Sequence, residues 1–240
     1  MRSLDDMNGG LEPCPDEGLS LAAKVYTELK RRLNQGELRP GDFIDQAALG
    51  EELGMSRAPL RDALLRLEFE GFVSIFPRRG VMVRPLDLSA IRDLYEIIGA
   101  LEGAAAEQAA RRFGPAEAAR MEALIVAMDE ALDRDDFDAY YAANLAFHDV
   151  YLSLSPNAEL KRQARVLKER LYDFPRRSAF VKEWELASMV EHRRLAALLA
   201  AGDFSGAADW IRRTHWSFEV QERYIRNYYL SSAARGEVAR

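Results

Sequence analysis

With 240 residues and 27.1 kDa the chain has room for one large domain or two ordinary ones, and 48% apolar residues supply enough material for real cores, which excludes a disordered chain. Its 33 Lys+Arg against 39 Asp+Glu leave a net charge of -6, which excludes a uniformly basic protein that coats nucleic acid but leaves room for a local basic patch. No uncharged apolar run approaches the roughly 18 residues of a membrane span, so no membrane partner is expected, and the single Cys14 with no early apolar leader points to a reducing, cytoplasmic setting.

Residues 1–18 mix Gly, Pro and acidic side chains without apolar periodicity and read as a flexible leader. Residues 19–85 change texture every dozen residues and read as a small mixed α/β domain. Within it, Asp45 to Leu53 has helical spacing of Ala48, Leu49 and Leu53 and ends at Gly54, a natural left-handed helix stop. Ser56 can cap a second helix whose Leu60, Ala63, Leu64 and Leu67 form one apolar face, with Arg57 and Arg61 together on the other. Guanidinium forks at that spacing suit guanine edges or phosphates in a major groove. Phe72 to Ile75, the basic turn Pro77-Arg78-Arg79-Gly80, and Val81 to Val83 predict a β-hairpin wing, with Gly80 supplying a positive φ. Residues 57–84 hold six arginines against Asp62, Glu68 and Glu70, a local surplus of three positive charges. The plain alternative is that these arginines are solvated and the hairpin is only packing.

The run Leu38-Arg39-Pro40-Gly41, the stretch Leu49 to Leu64 with Gly54-Met55-Ser56-Arg57-Ala58-Pro59-Leu60-Arg61, and Glu70-Gly71 together resemble the winged helix-turn-helix of GntR-family bacterial transcription regulators. The resemblance covers about 65 residues and implies operator contacts from Arg57, Arg61 and Gly80, with Ser56, Arg78 and Arg79 beside them. One departure is Ala47, where the family usually has an arginine at the start of the first helix of the motif.

Arg84-Pro85-Leu86-Asp87 is the natural junction, with Ser89 placed to cap the next helix. Residues 86–231 have long apolar periodicity broken near Gly114-Pro115, Asp133 to Asp136, Ser155-Pro156, Pro175 and Gly202-Asp203, which predicts an all-helical bundle of about six helices; 232–240 read as a flexible tail. The acidic run around Asp136 reads as a loop and helix N-terminus. Pro175-Arg176-Arg177 reads as a solvated bend, and Trp210, Trp216, Phe218, Tyr224, Tyr228 and Tyr229 as core or dimer surface on one long final helix.

All three histidines lie in this part. With a turn at Gly202-Asp203, His192 and His215 each stand roughly 15–18 Å from it along antiparallel helices, so their rings come level. Asn144 shares a face with His148 one turn away and can present an amide oxygen. Three imidazoles and an oxygen suit a divalent ion such as Zn²⁺, Ni²⁺ or Mn²⁺. Each histidine taken singly reads as an ordinary residue bonded to a neighbour.

Leu94-Tyr95-Glu96 with Leu101-Glu102, Phe147-His148, Glu191-His192, Ala200-Ala201-Gly202-Asp203 and His215 resemble the FCD effector domain of the FadR-type branch of the GntR family. The resemblance implies an all-helical bundle of six or seven helices and a metal held at positions 144, 148, 192 and 215, with Asp usual where this chain has Asn144. It also aligns a common effector-binding arginine with Ile98, so that Arg165 or Arg170 would have to hold an acidic effector, or the ligand is less acidic. The reading is a homodimeric, ligand-responsive DNA-binding regulator on a two-fold operator, a repressor by default, answering to a small organic acid. The alternative from another class is a metal-dependent enzyme using the three histidines, for which Glu191 is the one neighbouring acid or base.

Overall fold

The computed structural model describes residues 19–172 and 182–235. The expected leader, the Pro175-Arg176-Arg177 bend, part of the tail and the side chains of Tyr228 and Tyr229 lie outside that description. Helix α1 (Leu21–Asn34) starts where Ser20 Oγ accepts the Ala23 N–H, and Val25, Leu29 and Leu33 recur every turn on its buried face. Strand β1 (Phe43–Ile44) is followed by α2 (Gln46–Glu52), which Asp45 caps by accepting the Ala47 and Ala48 N–H groups at 3.0 Å. Gly54, at φ 60°, makes the tight turn into α3 (Arg57–Phe69), whose buried residues are Leu60, Ala63, Leu64 and Leu67.

The wing is β2 (Val73–Phe76) and β3 (Gly80–Val83), paired antiparallel with Phe76 opposite Gly80. Gly80 has φ 110° as expected of the turn, and Arg78 also adopts a left-handed φ of 62°. The sheet has a third strand that sequence reading missed, since β1 pairs with the other edge of β3 in the order β1-β3-β2. Two residues are too few to show the alternation by which a strand is recognised.

A second apolar core gathers around α4 (Leu88–Ala109), which packs against α6 (Phe137–Leu154), α7 (Ala158–Tyr172), α9 (Phe204–Trp210) and α10 (Phe218–Arg235). The pair α5 (Pro115–Asp133) and α8 (Lys182–Ala200) closes one side. Helix α4 is capped by Asp87, whose carboxylate accepts the Ala90 N–H at 2.7 Å, so the expected cap at Ser89 is displaced by two residues and Ser89 lies inside the helix. Asp136 does cap α6, accepting from Ala139.

The single long final helix expected from the aromatic spacing is broken. After α9 the backbone widens into a π-helical turn at Ile211–His215, leaves helical geometry at Trp216 and restarts as α10. What lets this turn settle on α4 is a pair of glycines one helical turn apart. A Cβ on Gly99 would lie 3.0 Å from Trp216 Cβ and 3.6 Å from Arg212 Cα, and one on Gly103 would lie 2.6 Å from Arg212 Nε. Arg212 crosses this groove to reach Glu107 at 3.0 Å.

The two glycines separate under substitution. Gly99→Val pushes on backbone and is expected to destabilise by about 1–3 kcal/mol. Gly103→Ala meets mainly a guanidinium that can swing aside and gains helix propensity of up to about 1 kcal/mol, so its net effect is near zero. Urea unfolding midpoints of the two variants check the contrast, and equal losses would show that the groove is not what seats the π-helical turn.

Candidate metal centre and nucleic-acid interface

Helix α6 carries Asn144 and His148, α8 carries His192, and the π-helical turn carries His215. The structure brings the three histidines together: ring centroids stand 4.9 Å apart for His148 and His215, 4.9 Å for His192 and His215, and 5.4 Å for His148 and His192. One ligating nitrogen from each can lie within 4.8 Å of the others. The wider π-helical turn contributes directly, because the extra residue it accommodates reorients the His215 side chain relative to an α-helical continuation from Trp210.

Two carboxylates orient two of the rings. His148 Nδ1 lies 2.9 Å from Glu102 Oε2 and His215 Nδ1 lies 2.8 Å from Glu191 Oε2. With the proton on Nδ1 facing each carboxylate, the Nε2 lone pair is left for the space between the rings. Glu191 is itself fixed, since its other oxygen accepts from Gln221 Nε2 at 2.8 Å and Gln221 accepts from Trp184 Nε1 at 2.9 Å. Burial pushes His148 down to about 4 against the pull of Glu102, and it drives His192 well below the usual histidine range. Both rings are therefore neutral near pH 7.

His148 Nε2, both His192 ring nitrogens and Asn144 Oδ1 are buried without a hydrogen-bond partner. Leaving such atoms unsatisfied costs about 1–3 kcal/mol each. The three imidazoles, each able to turn one nitrogen toward the others, fit a divalent cation, with Asn144 Oδ1 one helical turn from His148 as a further unpartnered oxygen.

Sequence reading missed the group that anchors this site. Glu102 is fully buried on α4, and its carboxylate accepts from Tyr151 OH at 2.6 Å and Trp216 Nε1 at 2.8 Å, besides meeting His148. Its other oxygen pairs with Lys168 Nζ on α7 at 2.8 Å. Burial alone would raise the Glu102 carboxyl, but Lys168 and His148 hold it well below the usual carboxylate range. Lys168 is thus the cation placed beside the histidine cluster. Arg165 and Arg170, the expected effector ligands, lie elsewhere: Arg165 is exposed in a groove facing α1, and the Arg170 guanidinium rests over Gly71 of the winged-helix unit. Position 98 offers no cation, since Ile98 is fully buried in the core.

The winged-helix surface is distinguished by which arginines lack counter-charges. Arg31 is tied to Glu28 and Glu37, Arg32 to Glu28 and Glu52, and Arg66 to Glu70. Arg57, Arg61, Arg78 and Arg79 are exposed, with no carboxylate partner among the described residues. Arg61 and Arg78 line one hollow of about 420 Å³ between α3 and the wing. Ser56 occupies the N-cap position of α3 without bonding its own helix, which leaves its hydroxyl exposed at the helix start. Ala47 sits exposed at the start of α2 and presents only a methyl group there.

Removing one member of the buried ion pair tests the anchor. Glu102→Gln leaves Lys168 buried without its counter-charge and is expected to cost about 3–5 kcal/mol. Adding Lys168→Met should recover most of that in urea unfolding, and no recovery would show that the lysine is not held by Glu102.

Comparison with known proteins gives two family matches, FCD domain over residues 93–215 and bacterial regulatory proteins, gntR family, over residues 21–83. The Nta operon transcriptional regulator of Aminobacter aminovorans is 32% identical over 169 residues, 68% of this chain and 75% of that protein. An HTH-type transcriptional regulator in the TAR-I ttuE-ttuC' intergenic region of Agrobacterium vitis is 32% identical over 143 residues, 57% of this chain and 84% of that protein. Among solved structures, E. coli McbR/YncC aligns with a TM-score of 0.67 at 23% identity, covering 89% of this chain and 99% of that one. A GntR regulator from Rhodococcus sp. RHA1 aligns at 0.64 and 20% identity, covering 87% and 98%, and both likenesses show the fold. The chain belongs to the GntR family of bacterial transcription regulators, with an FCD domain following its winged helix-turn-helix, and is a regulator of transcription, not an enzyme.

Proposed function

We propose that this regulator binds its operator as a homodimer through Ser56, Arg57, Arg61, Arg78, Arg79 and Gly80, and that a small organic acid bound in the helical domain changes its operator affinity. The observation that carries the ligand-responsive reading is the convergence of the His148, His192 and His215 rings, with His148 Nε2 and both His192 nitrogens buried and unpartnered there and Asn144 Oδ1 likewise unpartnered one helical turn from His148. In a regulator, a buried cluster of unpartnered polar atoms of this kind suits sensing. The domains are read as 19–85 for DNA binding and 86–231 for effector binding and dimerisation, with the cytoplasm as the working compartment. Among the described residues no helix is long and apolar enough to cross a membrane.

On this reading the four residues hold Zn²⁺, Ni²⁺ or Mn²⁺, and the bound ion supplies an electrophilic anchor for carboxylate or hydroxyl oxygens of the effector. Asn144 in place of an aspartate has two opposed consequences. It weakens the hold on the cation, and it leaves the ligand set uncharged, so that the full charge of the ion remains to attract an anion. Lys168 offsets the charge of the Glu102 carboxylate behind His148. Glu191 orients His215 with one oxygen and accepts from Gln221 with the other, so the acid–base group that an enzyme would need is committed to positioning.

In DNA recognition, Arg61 in the hollow beside the wing can offer a bidentate fork to a guanine, while Arg78 and the Ser56 hydroxyl suit phosphates. Two copies are needed because a single winged helix reads one half-site, and the two-fold operator matches a two-fold dimer. Repression relieved by the effector is the proposed sign. Reporter expression that falls when the gene is deleted would reverse that sign.

Two substitutions separate the parts. Arg61→Ala is expected to weaken operator binding by about 1–3 kcal/mol while leaving metal content unchanged. His148→Ala with His192→Ala is expected to abolish stoichiometric metal, read by elemental analysis after dialysis, while the metal-free protein keeps its winged-helix fold. Full metal retention would overturn the histidine assignment, and unchanged operator affinity in Arg61→Ala would overturn the assigned recognition helix.

A further inference from the structure

A hollow of about 590 Å³ lies between α1 of the winged-helix unit and helices α6 and α7 of the helical core. A second, of about 520 Å³, shares Thr27, Lys30, Arg165 and Glu169 with it and continues along α7. Together they are lined by seven basic side chains and by only two carboxylates, Asp149 and Glu169. Most of the cations are already engaged: Lys30 with Glu169, Lys168 with Glu102, and Arg31, Arg66 and Arg162 with carboxylates outside the hollow. Lys161 and Arg165 are not. Neither has a carboxylate partner among the described residues.

These two residues are four apart on α7 and so stand side by side on one face. Like charges at that spacing repel and destabilise a helix unless something neutralises them. Both line the same concavity, beside Lys30 and Arg66 of the other unit. Tyr141, Leu145 and Leu152 supply an apolar wall at the α6 end. The combination is a cationic floor with an apolar edge, open to solvent and built from both halves of the chain.

We propose that this hollow is a second ligand site, distinct from the histidine cavity, which takes a compact polyanion bearing phosphate or carboxylate groups, with Lys161 and Arg165 as its principal contacts. Such a ligand touches α1 and α7 at once and holds the two units together in one placement. Lys168 forms the boundary between the two sites, since it lines the hollow and its ammonium pairs with the carboxylate that orients His148. The site stands on the geometry of the hollow and does not depend on metal binding by the histidines.

The test uses inorganic pyrophosphate as the probe and the metal-stripped full-length protein, so that chelation does not contribute. Titration calorimetry is expected to show one pyrophosphate per chain. Arg165→Glu and Lys161→Glu should each weaken it at least ten-fold, whereas His192→Ala should leave it unchanged. Binding that is absent from the unsubstituted protein, or equally strong in Arg165→Glu, overturns the proposal. So does a loss of operator binding by Arg165→Glu without pyrophosphate, which would assign the surface to DNA. The histidine reading fails on different evidence, the loss or retention of metal, so the two outcomes are distinguishable.

Discussion

The structure of the helical half depends on one buried charge. Glu102 lies at the centre of the helical core, and an ionised carboxylate there is tolerated only when its partners return the solvation it gave up. The partners come from three separate stretches of chain: Lys168 from α7, His148 and Tyr151 from α6, and Trp216 from the segment after the π-helical turn. Each of them is oriented by the need to satisfy the carboxylate. The arrangement therefore specifies which helices meet and in what rotation, in a core whose apolar contacts alone would accept several. It also decides that His148 turns its second nitrogen inward.

The π-helical turn is the second constraint and follows from the first. For the Trp216 indole to reach Glu102, the chain after α9 must lie close on α4, and the absence of a side chain at Gly99, where a Cβ would meet Trp216 Cβ and the Arg212 backbone, permits that approach. A regular helix across the same span would present His215 at a different angle. One local widening thus serves two ends, with Trp216 against the buried carboxylate and His215 between the rings of His148 and His192.

How much of this was legible in the sequence depended on range. The winged helix-turn-helix is local: the cap at Asp45, the stop at Gly54, the start of α3 after Ser56, the apolar face of α3 and the turn at Gly80 are each decided within a few residues, although the Ser56 hydroxyl does not form the expected cap bond. The level placement of His192 and His215 was legible because it used only distances from a single turn at Gly202, while His148 joined them through the family resemblance. Periodicity shows which face of a helix is apolar, yet not which neighbour that face meets. Lys168 sits in a helix rich in basic residues and carries no local mark of burial, so Arg165 and Arg170 were equally plausible from sequence and proved to point toward the other unit. The break at Ile211–His215 left the aromatic spacing unchanged and was invisible for the same reason. The Ser89 cap failed because Asp87, a charged acceptor two residues earlier, starts the helix by taking the Ala90 N–H and leaves Ser89 inside the first turn.

Three consecutive residues of α7 show how the two halves are joined. Lys168 points into the core and meets Glu102, Glu169 meets Lys30 on α1 at 3.4 Å, and Arg170 lies over Gly71, where a Cβ would come within 2.7 Å of its guanidinium carbon. Successive residues on a helix are turned by about 100°, so one short stretch addresses the effector core, the first helix of the DNA-binding unit and the turn that leads into its wing. Val166, one turn before Arg170, packs against the apolar core of that unit. A helix is stiff over such a distance. The backbone that holds Lys168 against Glu102 is therefore the same backbone that holds Glu169 to α1 and Arg170 at the base of the wing. Among the described residues the connection lies in packed contacts and ion pairs, by which α7 joins the helical core to the unit that carries Arg57 and Arg61.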